Sequence, residues 1–140
     1  MFLDKVSLSV DEGYEWVVDR LSRYLSKYGV IRIYAGFKTD LASIPRIARI
    51  AIPVNGKHRK SSVLHDLLYR KKGLIEFFPL KDSITGDSRS SYVKALTRKE
   101  CDQMFLEAMK KDGVGWFVRS AMYSAVHTGG WVFWNRVYKA

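Results

Sequence analysis

The sequence predicts an α+β fold: an N-terminal antiparallel β-hairpin or small sheet, then three to four packed α-helices, in a single domain over residues 1–140. Three observations carry this expectation. Aromatic and β-branched residues gather before residue 37 with partial two-residue alternation, the mark of half-buried strands. After residue 44 the apolar spacing becomes helical. The stretch "TRKE" at 97–100 is a complete capping box, a helix-start signal with a definite hydrogen-bond mechanism.

The hairpin is placed over 14–37. "YEWVVDRLSRY" (14–24) supplies one strand and "VIRIYAGF" (30–37) the other, where Ile31 and Ile33 alternate with Arg32 and Tyr34. "LSKYG" between them supplies the turn. Two helices are expected within 44–72. The first covers about 44–51, opened by Ser43 and Pro45 and stopped by Pro53 and Gly56. The second covers about 58–72, with Val63, Leu64, Leu67 and Leu68 as its apolar arc. Residues 74–96 read as a long loop or a small hairpin.

A helical pair follows over 97–130. In its first member Cys101, Met104, Phe105, Ala108 and Met109 share one face, and Gly113 ends the helix. Its second member covers about 115–128 and stops at Gly129-Gly130. Residues 131–140 form an aromatic tail, "WVFWNRVY", that packs on the core or serves as a contact surface.

Composition narrows the function classes. A 140-residue chain that is 47% apolar can bury one real core. The single cysteine, Cys101, excludes an internal disulfide and a metal site built from several thiolates. Its place on the apolar arc reads as a buried structural thiol. No stretch reaches a membrane span of roughly 18 apolar residues. "MFLDKVSLSVDEGYE" lacks a signal-peptide core, so synthesis in the cytoplasm is expected. The net charge of +10 is uneven: residues 41–73 hold eight basic side chains and one acidic, Asp66. That surplus suits an anionic partner, or simply a solvated face. Arg46, Lys57, Arg59 and Lys60 are its candidate binding residues, and His58 belongs to the same patch.

Polar residues interrupt the helices at telling places. In "LHDLLY" (64–69), His65 and Asp66 fall on either side of the leucine arc, with Tyr69 between them on a second face. Asp102 sits at the edge of the next helix's apolar arc, within reach of an adjacent helix. A carboxylate that orients a histidine is the standard general-base arrangement. Arg119, Tyr123 and His127 make a further polar stripe at four-residue spacing. Thr39, Asp40 and Ser43 leave a strand and enter a helix, where side chains either converge on a site or merely satisfy a turn and a cap.

"AGFKTDLASIPR", "VLHDLLYR", "RKECDQMFLEAMKKDGV" and "RSAMYSAVHTGG" occur in the order seen in the domain of unknown function 1353 family of phage and prophage proteins, which the chain resembles from Trp16 to Gly130. Two departures stand out: residues 74–96 are longer than the family's usual link, and His127 replaces a more common arginine. The resemblance implies a phage origin and marks Thr39, Asp40, Ser43, His65, Asp66, Tyr69 and Asp102 as signature positions. It implies no established activity.

"HDLLY" with "CDQMF" also looks like the two-helix core of phospholipases of the A-two class. By that similarity His65 activates water, Asp102 orients it, and Asp66 helps bind calcium. That class places a glycine-rich calcium loop before its first helix, and this chain has only "IPVNGKHRK" there.

The expected function is therefore a phage-encoded hydrolase-like protein acting on cell-envelope material, lipid or wall, at entry or lysis. Its catalytic candidates are His65, Asp102 and Asp40. Asp66 and Asp40 are the candidate ligands should a divalent cation such as calcium bind, and Thr39, Ser43 and Tyr69 are candidate binding residues. The rival is a non-enzymatic virion or assembly component of tail, neck or capsid, partnered by other phage proteins. A third reading is a small protein that binds a host factor or nucleic acid through its charge.

Overall fold

A computed structural model describes residues 1–10, 16–39, 59–80 and 91–136, with backbone alone at Val10, 130–133, 135 and 136. The expected helix at 44–51 and the site candidates Asp40, Ser43, Arg46 and Lys57 lie outside the described residues.

The described strands make three small antiparallel sheets. β1 (Leu8–Val10) pairs with β2 (Trp16–Val18), and β2 pairs with β5 (Lys38–Thr39). β3 (Ser22–Ser26) and β4 (Gly29–Ile33) form a tight hairpin with Tyr24 opposite Ile31. β6 (Leu74–Phe77) pairs with β7 (Tyr92–Ala95), so 74–96 contains a hairpin. A bridge between Val30 and Phe78, bonded in both directions, joins the second and third sheets.

The expected single strand over 14–24 is two strands instead. The break falls at Asp19, whose carboxylate accepts hydroxyl bonds from Ser7 and Ser9 at 2.8 and 2.5 Å. Those bonds give the chain a local alternative to continued pairing, and β2 turns towards β1 and β5 while β3 starts a new sheet.

Alternation decides which strand residues enter the core. Ile31 and Ile33 are buried and Tyr34 is exposed, while Arg32 lays its guanidinium 3.7 Å from the Phe78 ring centroid. Ile75 and Phe77 are buried on β6, whereas Leu74 and Glu76 face out.

Among the described residues three helices cover these sheets: α1 (Arg59–Arg70), α2 (Arg98–Lys111) and α3 (Trp116–Arg136). α2 starts as its capping box requires. The Glu100 amide donates to Thr97 Oγ1 at 3.1 Å, and the Thr97 amide donates to Glu100 Oε1 at 3.1 Å. It stops at Gly113, φ +77°, where the Val114 amide bonds the Met109 carbonyl. α1 and α2 run antiparallel: Ser61 near the start of α1 bonds Asp112 at the end of α2, and His65 meets Asp102 near its beginning.

α2 is the central helix because its apolar arc is divided between two cores. Cys101, Met104 and Ala108 join α1 and the sheets, with Leu64, Leu68, Ile33 and Phe77. Phe105 and Met109 join α3 through Met122 and Val126. Each fully buried side chain of this kind contributes roughly 1.5–3 kcal/mol. β5 packs against α1, so the strand carrying Thr39 ends beneath that helix.

The helix expected to stop at Gly129-Gly130 continues through both glycines to Arg136. Each glycine costs about 1 kcal/mol relative to alanine in a helix. Packing beyond them offsets that cost, because Trp134 meets Tyr69 edge-on at 5.1 Å and leans on the main core. The end of the expected 58–72 helix is also earlier, since Lys72 (φ 52°) and Gly73 (φ +74°) turn the chain after Arg70.

Gly73 is required by space as well as by conformation, since a Cβ there would lie 2.0 Å from the Leu96 carbonyl oxygen. Gly73→Ala should lower unfolding free energy by more than about 1 kcal/mol, read by urea denaturation. Thr97→Ala should cost about 1 kcal/mol by loss of the cap. An unchanged midpoint for either variant would contradict this description of the helix ends.

Candidate functional site

The second face of "LHDLLY" meets another helix rather than solvent. Val63, Leu64, Leu67 and Leu68 are buried as the arc predicts, but His65 and Tyr69 are buried too, at 8% and 4% exposure. Asp102, expected at the edge of the α2 arc, is fully enclosed at 0%. The reason is the position of α2 between two cores: the edge of its arc faces the seam where α1 and α3 meet it.

Asp102 is the hub of this seam. His65 Nε2 lies 2.9 Å from Asp102 Oδ1, and the Tyr69 hydroxyl donates to the same oxygen at 2.5 Å. A carboxylate oxygen without a proton only accepts, so His65 Nε2 carries the hydrogen. In the neutral imidazole that leaves Nδ1 as the unprotonated, basic nitrogen. On the other side of the carboxylate, Arg98 Nη1 is 3.5 Å and His127 Nδ1 is 3.7 Å from Oδ2. These spacings are longer than a hydrogen bond, and Oδ2 has no hydrogen-bond partner among the described residues.

Rings wall the histidine on two sides. His65 lies 4.1 Å from the Tyr69 ring centroid and 4.6 Å from that of Phe105. The His65 side chain keeps 11% of its surface while Asp102 keeps none, so the imidazole is the group nearer to solvent. Farther out, His127 is half-exposed and stacks on Tyr123 at 5.6 Å. Arg98 also holds α3 directly, donating to the carbonyls of Val126 and His127 at 3.2 and 3.0 Å.

Burial shifts the neighbours in one direction. The Tyr69 hydroxyl is held well above its usual value, first by desolvation and then by its bond to the Asp102 carboxylate. Burial pushes the Cys101 thiol up to about 12, with the adjacent Asp102 charge adding to the effect. A thiol so shifted is inert as a nucleophile, which agrees with its expected structural role.

The remaining candidates fall elsewhere. Asp66 is not part of the cluster; its Oδ1 sits 3.5 Å from Arg70 Nε, one turn along α1. No group of three or more His, Cys, Asp or Glu side chains that could hold a metal ion occurs among the described residues. With the Arg70 guanidinium already beside it, Asp66 offers a poor cation ligand. Thr39 is fully buried, and its hydroxyl has no hydrogen-bond partner among the described residues. Arg59 covers the Trp16 ring at 3.9 Å, and Lys60 reaches Asp112 at 3.9 Å.

Sequence reasoning missed Arg98, which contributes both to Asp102 and to the α3 carbonyls. A signal existed. Arg98 is the first residue of α2, where a cation opposes the helix dipole, so its presence there asks for a specific partner. Two cavities lined by described residues, of about 340 and 520 Å³, lie elsewhere and include neither His65 nor Asp102.

Two measurements check this site. Tyr69→Phe removes one of the two donors to a buried carboxylate oxygen and should destabilise by roughly 1.5–3 kcal/mol. A change within error would mean that the bond is not formed. The raised groups also set an alkaline limit. Cys101 and Tyr24 move up to about 12 from 9.0 and 10.0, so the unfolded chain loses these protons first. Stability is then full below about pH 9 and falls as pH rises towards 12. Cys101→Ala should flatten the lower part of that decline in pH-dependent urea melts, whereas an identical decline would contradict the shift.

No curated protein and no solved structure matches the chain. A family model described as "Protein of unknown function (DUF1353)" matches residues 16–126, which include α1, α2 and the Asp102 hub. The chain belongs to that family.

Proposed function

We propose that the protein is a phage-encoded hydrolase of cell-envelope material, with His65 as general base and Asp102 as the residue that orients it. The observation that carries this reading is the 2.9 Å contact between His65 Nε2 and a fully buried Asp102. It fixes the tautomer that makes Nδ1 basic and places a negative charge where an imidazolium would form. The phage setting rests on the order of the four sequence motifs.

The reaction balances without a cofactor. His65 Nδ1 takes a proton from water as the water oxygen bonds to an ester or amide carbonyl carbon. The tetrahedral intermediate collapses, the bond to the leaving group breaks, and the imidazolium returns the proton to that group. Asp102 and Tyr69 act through His65 and touch no substrate in this scheme. Lipid and wall polymer are the substrate classes, and the basic surplus of the chain favours anionic forms of either.

A second reading has its own support. All three helices contribute to the Asp102 hub: His65 and Tyr69 from α1, Arg98 from α2 and His127 from α3. Such a network can serve only to fix helix packing in a virion or assembly component.

His65→Gln separates the two. The glutamine amide can still donate to Asp102 but cannot accept a proton as imidazole does. Hydrolysis of anionic phospholipid vesicles or purified cell wall should fall by about 100-fold or more, with the thermal midpoint close to wild type. Wild-type protein inactive on both substrates, or a variant with full activity, would contradict the hydrolase reading. Fixed stoichiometry in purified particles together with inactivity would favour the assembly reading.

A further inference from the structure

The aromatic surface of the protein is concentrated at one end of the helical layer. Trp116 and Phe117 open α3 and are each 70% exposed, the most exposed large apolar side chains described. Neighbouring residues are anything but loose: Val114 is buried, its amide is tied to Met109, and Gly113 sets the turn. A rigid, buried turn therefore presents two large rings to solvent, which burial alone would never favour.

The same end gathers positive charge. α1 begins there, α2 ends there and α3 begins there, because Lys60 and Ser61 both meet Asp112. Arg59, Lys60, Lys110, Lys111 and Arg119 lie on these helix ends, against the two carboxylates Glu107 and Asp112. Asp112 is already engaged by Ser61 at 3.0 Å, and the first turn of α3 carries no acidic residue. The two cavities lined by described residues do not include Trp116 or Phe117, whose rings stand out from the surface.

We propose that this end of the molecule, with Trp116 and Phe117 at its tip, is an interfacial anchor for an anionic phospholipid bilayer. A protruding aromatic tip fits a planar, deformable surface. The positive charge around it matches an anionic surface. Tryptophan is favoured at the headgroup level, where its ring is buried and its N–H stays wet. Lysines and arginines around it add attraction to a negative surface. Penetration would be shallow, since no helix among the described residues is long and apolar enough to cross a membrane. The anchor does not depend on His65 being catalytic.

The test is binding to vesicles, measured by co-sedimentation and by tryptophan emission. Wild-type protein should bind vesicles of equal phosphatidylglycerol and phosphatidylcholine and ignore phosphatidylcholine alone. Trp116→Ala/Phe117→Ala should weaken binding by about tenfold or more, equivalent to at least about 1.4 kcal/mol. Its thermal midpoint should stay unchanged, because both side chains are exposed. Lys110→Gln/Lys111→Gln should weaken binding mainly at low salt, which separates the charged from the aromatic contribution. The proposal is overturned if wild-type protein does not bind phosphatidylglycerol vesicles, or if the aromatic double variant binds equally well. It is also overturned if the pair instead mediates a dimer in sedimentation, or binding to a DNA duplex, with no vesicle binding. Because binding is read without turnover, an inactive His65→Gln protein that still binds would leave the anchor standing while removing the hydrolase.

Discussion

A carboxylate sealed from water organises this protein. Asp102 has no exposed surface, and an ion placed there without partners would cost several kcal/mol. Its neighbours are therefore fixed in kind and place. Two donors converge on Oδ1 from α1, and two cationic or potentially cationic groups flank Oδ2 from α2 and α3. Satisfying one residue sets the antiparallel approach of α1 to α2 and the placement of α3 across both. Hydrophobic burial supplies most of the free energy of this packing, but it is not directional. The hub supplies the register.

The same constraint bears on chemistry. Enclosing Asp102 strengthens its hold on His65, because the local dielectric is low and no water competes. The imidazole is thereby held through Nε2, between the Tyr69 and Phe105 rings. Packing and preorganisation are the same interaction in this arrangement. A site on a loop could not hold that geometry as well as two helices locked by their own cores.

Much of this was legible from residue patterns. The α2 arc and its capping box are legible in the sequence, because helical periodicity and a four-residue cap are local signals. The second face of α1 was also legible, since His65 and Tyr69 could not share the leucine arc. Other features depended on partners distant in sequence. The passage of α3 through Gly129-Gly130 follows from Trp134 meeting Tyr69, a contact 65 positions apart that overrides local glycine preference. The division of 14–24 into two strands follows from Asp19 bonding to Ser7 and Ser9. Asp66, adjacent to His65 in sequence, points to Arg70 instead, because one step along a helix rotates a side chain by about 100°.

The central claim is that Asp102 holds His65 as the Nε2–H tautomer. Long-range proton–nitrogen NMR of the histidine rings reads this directly in the native protein at neutral pH. The account predicts a His65 ring with a protonated Nε2 engaged in a hydrogen bond and an unprotonated Nδ1, a pattern lost in Asp102→Ala. A His65 ring protonated at Nδ1 with a bare Nε2, or a tautomer indifferent to Asp102, would contradict it.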